Sequence, residues 1–156
     1  MKPKKTSKIF LGSDHAGFKL KEDIKHLLGK IGYKYEDLGV YTDKTKSDYP
    51  ETAIKVAKKV LKYKCSGILM CGTGIGEAIV ANKLKGIRAA NCFNELTAKM
   101  SRAHNNSNIL CLGARIINKN LARKITKTWL ETDFSKEPRH IRRVKQIEDL
   151  ENVLCR

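Results

Sequence analysis

The stretch Gly67 to Cys71, GILMC, followed at once by GTGIG, constrains the fold more than any other part of the chain. An unbroken apolar run this short suits a strand buried on both faces, and such strands belong to parallel sheets covered by helices. Glycines at 72, 74 and 76 are too dense for the interior of a regular element, so the strand must end in a loop there. The flanking sequence repeats the theme. Lys8 to Gly12, Tyr33 to Leu38, Ile87 to Phe93 and Ile109 to Leu112 read as further strands. Between them, apolar residues fall at helical spacing. They are Leu20, Ile24, Leu27, Leu28 and Ile31 within a helix from Ala16 to Gly32, then Ala53, Ile54, Ala57, Val60 and Leu61. Further helices are expected from the glycine loop to about Lys85, from Glu95 to His104, and around Leu121, Ile125, Thr128 and Trp129. Ile141, Val144, Ile147, Leu150 and Val153 stripe a last helix that no strand follows, so its apolar face needs cover, a partner subunit being one candidate. Repeated strand–helix units predict an α/β fold with a five-stranded parallel sheet covered on both faces.

In such a sheet, ligands bind outside the carboxyl ends of the strands. The chemistry-bearing residues fall there: Asp14 and His15 after the first strand, Cys71 to Glu77 after the third, and Arg115 after the fifth. The 156 residues are the size of one domain, expected over 8–156 after a flexible basic tail, 1–7. No run approaches the roughly 18–20 apolar residues of a membrane span, and the apolar stretch after the tail is too short for a secretion signal. The expectation is a cytoplasmic protein with no membrane partner. Cys65, Cys71, Cys92, Cys111 and Cys155 are odd in number and mostly sit in apolar runs, which suits reduced buried thiols better than disulfides. No CxxC pair or His/Cys cluster suggests a metal site. The net charge of +16 raises the possibility of a nucleic-acid partner. Lysines are spread over every predicted helix, however, and aromatics are only 6% of the chain, so no specific nucleic acid is expected and a lysine-rich enzyme handling anions fits better.

The glycine loop lacks the Gly-Lys-Ser/Thr ending of a Walker loop, because Glu77 follows Gly76. It also departs from the dinucleotide fingerprint: its glycines read GxGxG, and Glu77 stands where the third glycine belongs. What remains is a row of backbone N–H groups at a helix N-terminus, an anion site. Cys71 lies at its edge, and the helix terminus should lower the thiol pKa from about 8.5, making the thiolate a candidate base. Equally, Cys71 could be a small buried residue at a strand end, and Glu77 a carboxylate favoured by the first helical turn. A base beside an oxyanion hole fits proton abstraction next to a carbonyl. Asp14 can cap a helix. His104, Asn105 and Asn106 lie at a helix end, where Asn is an ordinary cap. Arg139 and Arg143 are spaced to share one helix face, as two phosphate-gripping guanidiniums or as a solvated basic face.

Taken together, GSDHAGFKLK, DYP at Asp48 to Pro50, CGTGIG, ANK at Ala81 to Lys83, GIRA, HNNSN, GAR at Gly113 to Arg115 and RHIRRV resemble the ribose-5-phosphate isomerase B family, which includes galactose-6-phosphate isomerase. The order is collinear from about Ile9 to Val144. The resemblance implies a Rossmann-like three-layer α/β/α sandwich, working as a homodimer with shared sites and sometimes as a tetramer. It implies the reversible conversion of ribose 5-phosphate to ribulose 5-phosphate in the pentose phosphate pathway, without metal or cofactor. Cys71 would move the proton, while Thr73 and the backbone of Gly72, Gly74, Ile75 and Gly76 would hold the enediolate. His104 from the other subunit would help open the sugar ring, with Asp14 near the ring oxygen. His15, Arg115, Arg139 and Arg143 would hold the phosphate, and Asn105 and Tyr49 would position the sugar. In some branches a glutamate at the Glu77 position is the base instead. This chain carries both, and Cys71 is preferred. Galactose 6-phosphate and allose 6-phosphate are alternative substrates, and a non-catalytic phosphate- or nucleic-acid-binding protein is the alternative of another class.

Overall fold

The computed structural model describes residues 8–154; the expected basic tail and Cys155 lie outside them. Five strands form one sheet in the order β2-β1-β3-β5-β4, every pairing parallel. They are β1 (Ile9–Ser13), β2 (Tyr35–Asp37), β3 (Ser66–Cys71), β4 (Ala89–Asn91) and β5 (Ile109–Gly113). The helices are α1 (Phe18–Lys30), α2 (Tyr49–Tyr63), α3 (Ile75–Ala81), α4 (Glu95–Ala103), α5 (Lys119–Glu131) and α6 (Pro138–Leu154).

Side chains alternate across a strand, so each central strand feeds two cores. Ile9, Leu11, Ile68, Met70, Leu110 and Leu112 pack on the side of α1, α4 and α5 around the fully buried Trp129. Phe10, Leu69, Ile109 and Cys111 point the other way, onto α2 and α3 through Val56, Val60, Ala78 and Ala81. This is the expected three-layer sandwich. The expected β2 and β4 shrink to three residues each because they are the sheet edges, where only one neighbour extends the ladder. The helix after the glycine loop stops at Ala81 rather than near Lys85, and α2 starts at Tyr49 because Pro50 suits a first turn. Among the described side chains of α6 only His140 and Val144 are buried, while Ile141, Ile147, Leu150 and Val153 remain exposed. No helix among the described residues is long and apolar enough to cross a membrane.

The chain winds outward from β1 to β2, then returns to place β3 on the other side of β1. The carboxyl ends of β1 and β3 therefore flank the point where the winding reverses, the crevice in which such sheets bind ligands.

Candidate active site

The loop after β3 is shaped by contacts that tolerate no side chain at two of its glycines. Gly74 has φ +78°, and a Cβ there would collide with the Asn91 side chain. At Gly76 a Cβ would sit 2.6 Å from the Tyr49 ring. Tyr49, from the start of α2, thus lies directly against the loop. The GAR turn is stitched to it: Ala114 N–H donates to the Cys71 carbonyl at 2.8 Å and Arg115 N–H to the Gly72 carbonyl at 2.9 Å. The Arg115 guanidinium lies against Gly72, within 3.1 Å of where a Cβ would stand. Asn91, at the end of β4, donates from its amide to the Thr73 carbonyl at 3.3 Å.

Cys71 ends β3 with 4% of its surface exposed, and its Sγ accepts the Gly74 N–H at 3.1 Å. Thr73 is exposed beside it, its hydroxyl accepting the Ile75 N–H at 3.3 Å. Glu77 is completely buried, and neither carboxyl oxygen has a hydrogen bond of good geometry, although the Cys71 thiol is near enough to favour its charged form. Burial first, and then the charge of Asp14, hold the Glu77 pKa well above the carboxylate range. The Cys71 thiol is also pushed up, by burial first and then by Glu77, against the N–H groups of Thr73 and Gly74. This corrects the expectation of a lowered thiol pKa. The helix terminus is real, but α3 has only seven residues, and desolvation with two carboxyl neighbours outweighs it. The pair titrates as a unit rather than as two independent groups.

The raised pKa of the buried Glu77 has a signature in stability. Its folded-state pKa lies above the unfolded value of about 4.3, so the folded chain keeps a proton that the unfolded chain releases as pH rises. Stability is therefore lost progressively above that value. Glu77→Gln is expected to melt at a higher temperature than the parent, by about 2–4 °C per kcal/mol gained. The difference should widen from pH 4 to pH 8 in thermal scans. A difference that is flat with pH would mean that the carboxyl ionises in the fold without penalty.

Asp14 is buried and caps the turn into α1, its Oδ1 accepting the Gly17 N–H at 2.9 Å. His15 donates its backbone N–H to Ser47 Oγ at 2.9 Å, and its Nδ1 accepts the Ser47 N–H at 3.2 Å. Ser47 thereby fixes the imidazole that follows β1. The segment carrying it is anchored by the buried Lys21, whose ammonium holds Asp37 and the Val40 carbonyl, each at 2.6 Å.

The other expected site residues do not join this edge. His104 caps the C-terminal end of α4, followed by Asn105, and Arg139 and Arg143 lie exposed in the first turns of α6. The Ser135 N–H donates to the Ala103 carbonyl, tying the two helix ends together. Because α4 and α6 meet where the chain approaches the amino ends of β4 and β5, this cluster sits at the opposite edge of the sheet from Cys71. β5 alone separates the edges by about 13 Å at the usual rise per residue. Asn105 helps line a cavity of about 630 Å3 together with Arg88, Ser101, Ile147 and Leu150. The sequence points to neither Asn91 nor Ser47, and it shows His140 only as a member of the basic stretch PRHIRR, with no role of its own. Each acts through a tertiary contact, and an isolated Asn or Ser at a loop carries no periodic signal.

A thiol and a carboxyl thus lie beside a loop of backbone N–H groups at the reversal point of a parallel sheet, groups whose chemistry suits moving protons and holding anions. The chain belongs to the Ribose/Galactose Isomerase family, whose pattern matches residues 9–147, and it is an isomerase. It is 40% identical to ribose-5-phosphate isomerase B of Escherichia coli (strain K12) over 92% of this chain and 96% of that one. It is 36% identical to D-erythrulose-4-phosphate isomerase 2 of Mycolicibacterium smegmatis, over 90% of this chain and 94% of the relative. The solved structure of Clostridium thermocellum ribose-5-phosphate isomerase B superposes with a TM-score of 0.91 at 45% identity, covering 94% of this chain and 99% of the other.

Proposed function

We propose that the chain interconverts ribose 5-phosphate and ribulose 5-phosphate through an enediolate, as a cytoplasmic homodimer whose active sites each draw on both subunits. The observation that carries the reading is the Cys71 thiol held at the lip of the glycine loop, with Asp14, Tyr49 and Arg115 around it and His15 next to Asp14 at the end of β1. His15 and Arg115 hold the sugar phosphate. The Cys71 thiolate removes the proton from carbon 2 and returns it to carbon 1, while the hydroxyl proton on oxygen 2 passes to oxygen 1. The charge that develops on the oxygens is met by the Thr73 hydroxyl and the N–H groups from Gly72 to Gly76, through Gly74 and Ile75. Tyr49 packs along the sugar. His104 and Asp14 exchange protons with the ring oxygen and the anomeric hydroxyl to open the furanose, and Asn105, Arg139 and Arg143 complete the grip from the opposite subunit. The free thiols at Cys65, Cys71, Cys92 and Cys111 support a reducing compartment.

The name of the Mycolicibacterium smegmatis relative favours a second reading, a four-carbon ketose phosphate as substrate. A direct aldose–ketose assay decides between them, comparing ribose 5-phosphate with erythrulose 4-phosphate, galactose 6-phosphate and allose 6-phosphate. The highest kcat/KM is expected for the ribose pair, and a higher value for any rival overturns it. Turnover that is absent for all four, with nucleic-acid binding that falls steeply with salt, would favour a non-catalytic binding protein.

Arg139 donates to Glu137 at 2.9 Å but is largely exposed, as is Arg143, so both are free to face an incoming phosphate. Arg139→Ala and Arg143→Ala are each expected to raise KM about ten- to hundredfold with little change in kcat, the loss of one charge-assisted contact made equally in ground and transition states. Unchanged KM in steady-state kinetics would return both to the solvated surface.

A further inference from the structure

We infer that His140 is a positioning residue for His104, holding its ring in the plane that ring opening requires. The inference rests on the reading of His104 as the ring-opening group, and the experiment below separates the two.

His140 lies in the first turn of α6 with only 2% of its surface exposed. Its ring packs on the ring of His104, with centroids 4.1 Å apart and planes 33° from parallel. Its Nδ1 pairs with Ser135 Oγ at 2.7 Å. Ser135 is fixed in turn, since its N–H donates to the Ala103 carbonyl at 3.0 Å and its Oγ accepts the Glu137 N–H at 3.3 Å. A continuous strut therefore runs from the last residue of α4 through Ser135 to the imidazole beneath His104. His104 needs such a strut. It follows the last turn of α4 and is half-buried, and among the described residues no hydrogen bond reaches its ring. The stack is the contact that sets its plane.

The charge around His140 suits the same role. Burial pushes its pKa below the ordinary value, the neighbouring His104, Arg139 and Arg143 push the same way, and only Glu137 opposes them. A ring that stays neutral puts no like charge against the face of His104. A lysine or arginine could not serve here, and an aliphatic side chain would not present a flat face. Substrate reaches His104 rather than His140, whose surface is almost entirely covered.

The test is a double-mutant cycle on kcat for cyclic ribose 5-phosphate and for open-chain ribulose 5-phosphate, with His104→Ala, His140→Ala, His140→Phe and the double alanine variant. His104→Ala should lose more from the ribose side than from the ribulose side. His140→Ala should show the same imbalance, with a loss in kcat of about tenfold or more from a misplaced group and little change in KM. His140→Phe, which restores an aromatic face and fills the space, should recover most of it. The double variant should be no slower than His104→Ala alone, because a residue that acts only through His104 has nothing left to position. If His104→Ala shows no imbalance between the two substrates, the ring-opening reading itself fails. If His104→Ala shows it and His140→Ala does not, or if the double variant is slower by the product of the single losses, the positioning role fails on its own. Should His140→Ala not fold, the Phe variant decides: kcat as low as in His104→Ala would overturn the stacking argument.

Discussion

Cys71→Ala is expected to lower kcat by about a hundred- to ten-thousandfold, the range that general acid–base groups contribute, while the affinity for the phosphate end of the substrate stays intact. A group that takes a proton from carbon must reach that carbon. Cys71 retains 4% exposure at the lip of the loop, whereas Glu77 has none. The raised thiol pKa does not count against the role, because a thiolate that is harder to form is a stronger base once formed. The reaction then needs somewhere for the thiol proton to go, and Glu77 is the neighbour whose own raised pKa suits it to share one. Glu77→Gln should therefore cost less than Cys71→Ala. It should also move the acid limb of kcat/KM toward lower pH, because the Glu77 charge is the largest electrostatic influence that raises the thiol pKa. A dead Glu77→Gln beside an active Cys71→Ala, measured over the same pH range, would make Glu77 the base.

The sheet was legible because burial leaves a periodic trace. GILMC is apolar throughout since both faces of β3 are covered, and the stripe Leu20, Ile24, Leu28 marks the buried side of α1. The edges were less legible. Tyr33 to Leu38 and Ile87 to Phe93 look like longer strands than they are, because composition does not record where a ladder loses its neighbour. The thiol pKa was misjudged for a related reason. A helix terminus can be read from spacing, but the desolvation of Cys71 and the approach of Asp14 and Glu77 depend on how β1, β3 and α3 pack. The same holds for Asn91, which meets Thr73 across eighteen residues of chain, and for Ser47, which meets His15 across thirty-two. His140 sat in plain view in RHIRRV, but only the tertiary stack on His104 gives it a task.

Two chains, one carrying Cys71→Ala and the other His104→Ala, are expected to complement each other. The fold supplies the reason. Cys71 stands at the carboxyl edge of the sheet and His104 at the amino edge, so under the proposed function one chain presents two half-sites facing away from each other. A substrate of five carbons cannot bridge them within one chain. Ile75, Ile79, Phe93 and Leu96 are exposed at the loop, α3 and the start of α4, and Ile141, Ile147 and Leu150 are exposed on α6, apolar surface that a second copy could cover. A two-fold dimer that brings the carboxyl edge of one copy against the amino edge of the other creates two equivalent sites. In a mixed dimer, one site then carries both defects and the other carries neither. Random mixing in equal amounts makes about half of the dimers mixed, so roughly a quarter of all sites should be intact under that symmetry. Each mutant alone should turn over ribose 5-phosphate far more slowly than the parent, Cys71→Ala by the hundred- to ten-thousandfold given above. Co-expression with two different tags, followed by successive capture on both, isolates dimers whose chains have truly exchanged, and half of their sites should be active. Isolated mixed dimers no faster than either parent would mean that Cys71 and His104 do not meet across a subunit boundary.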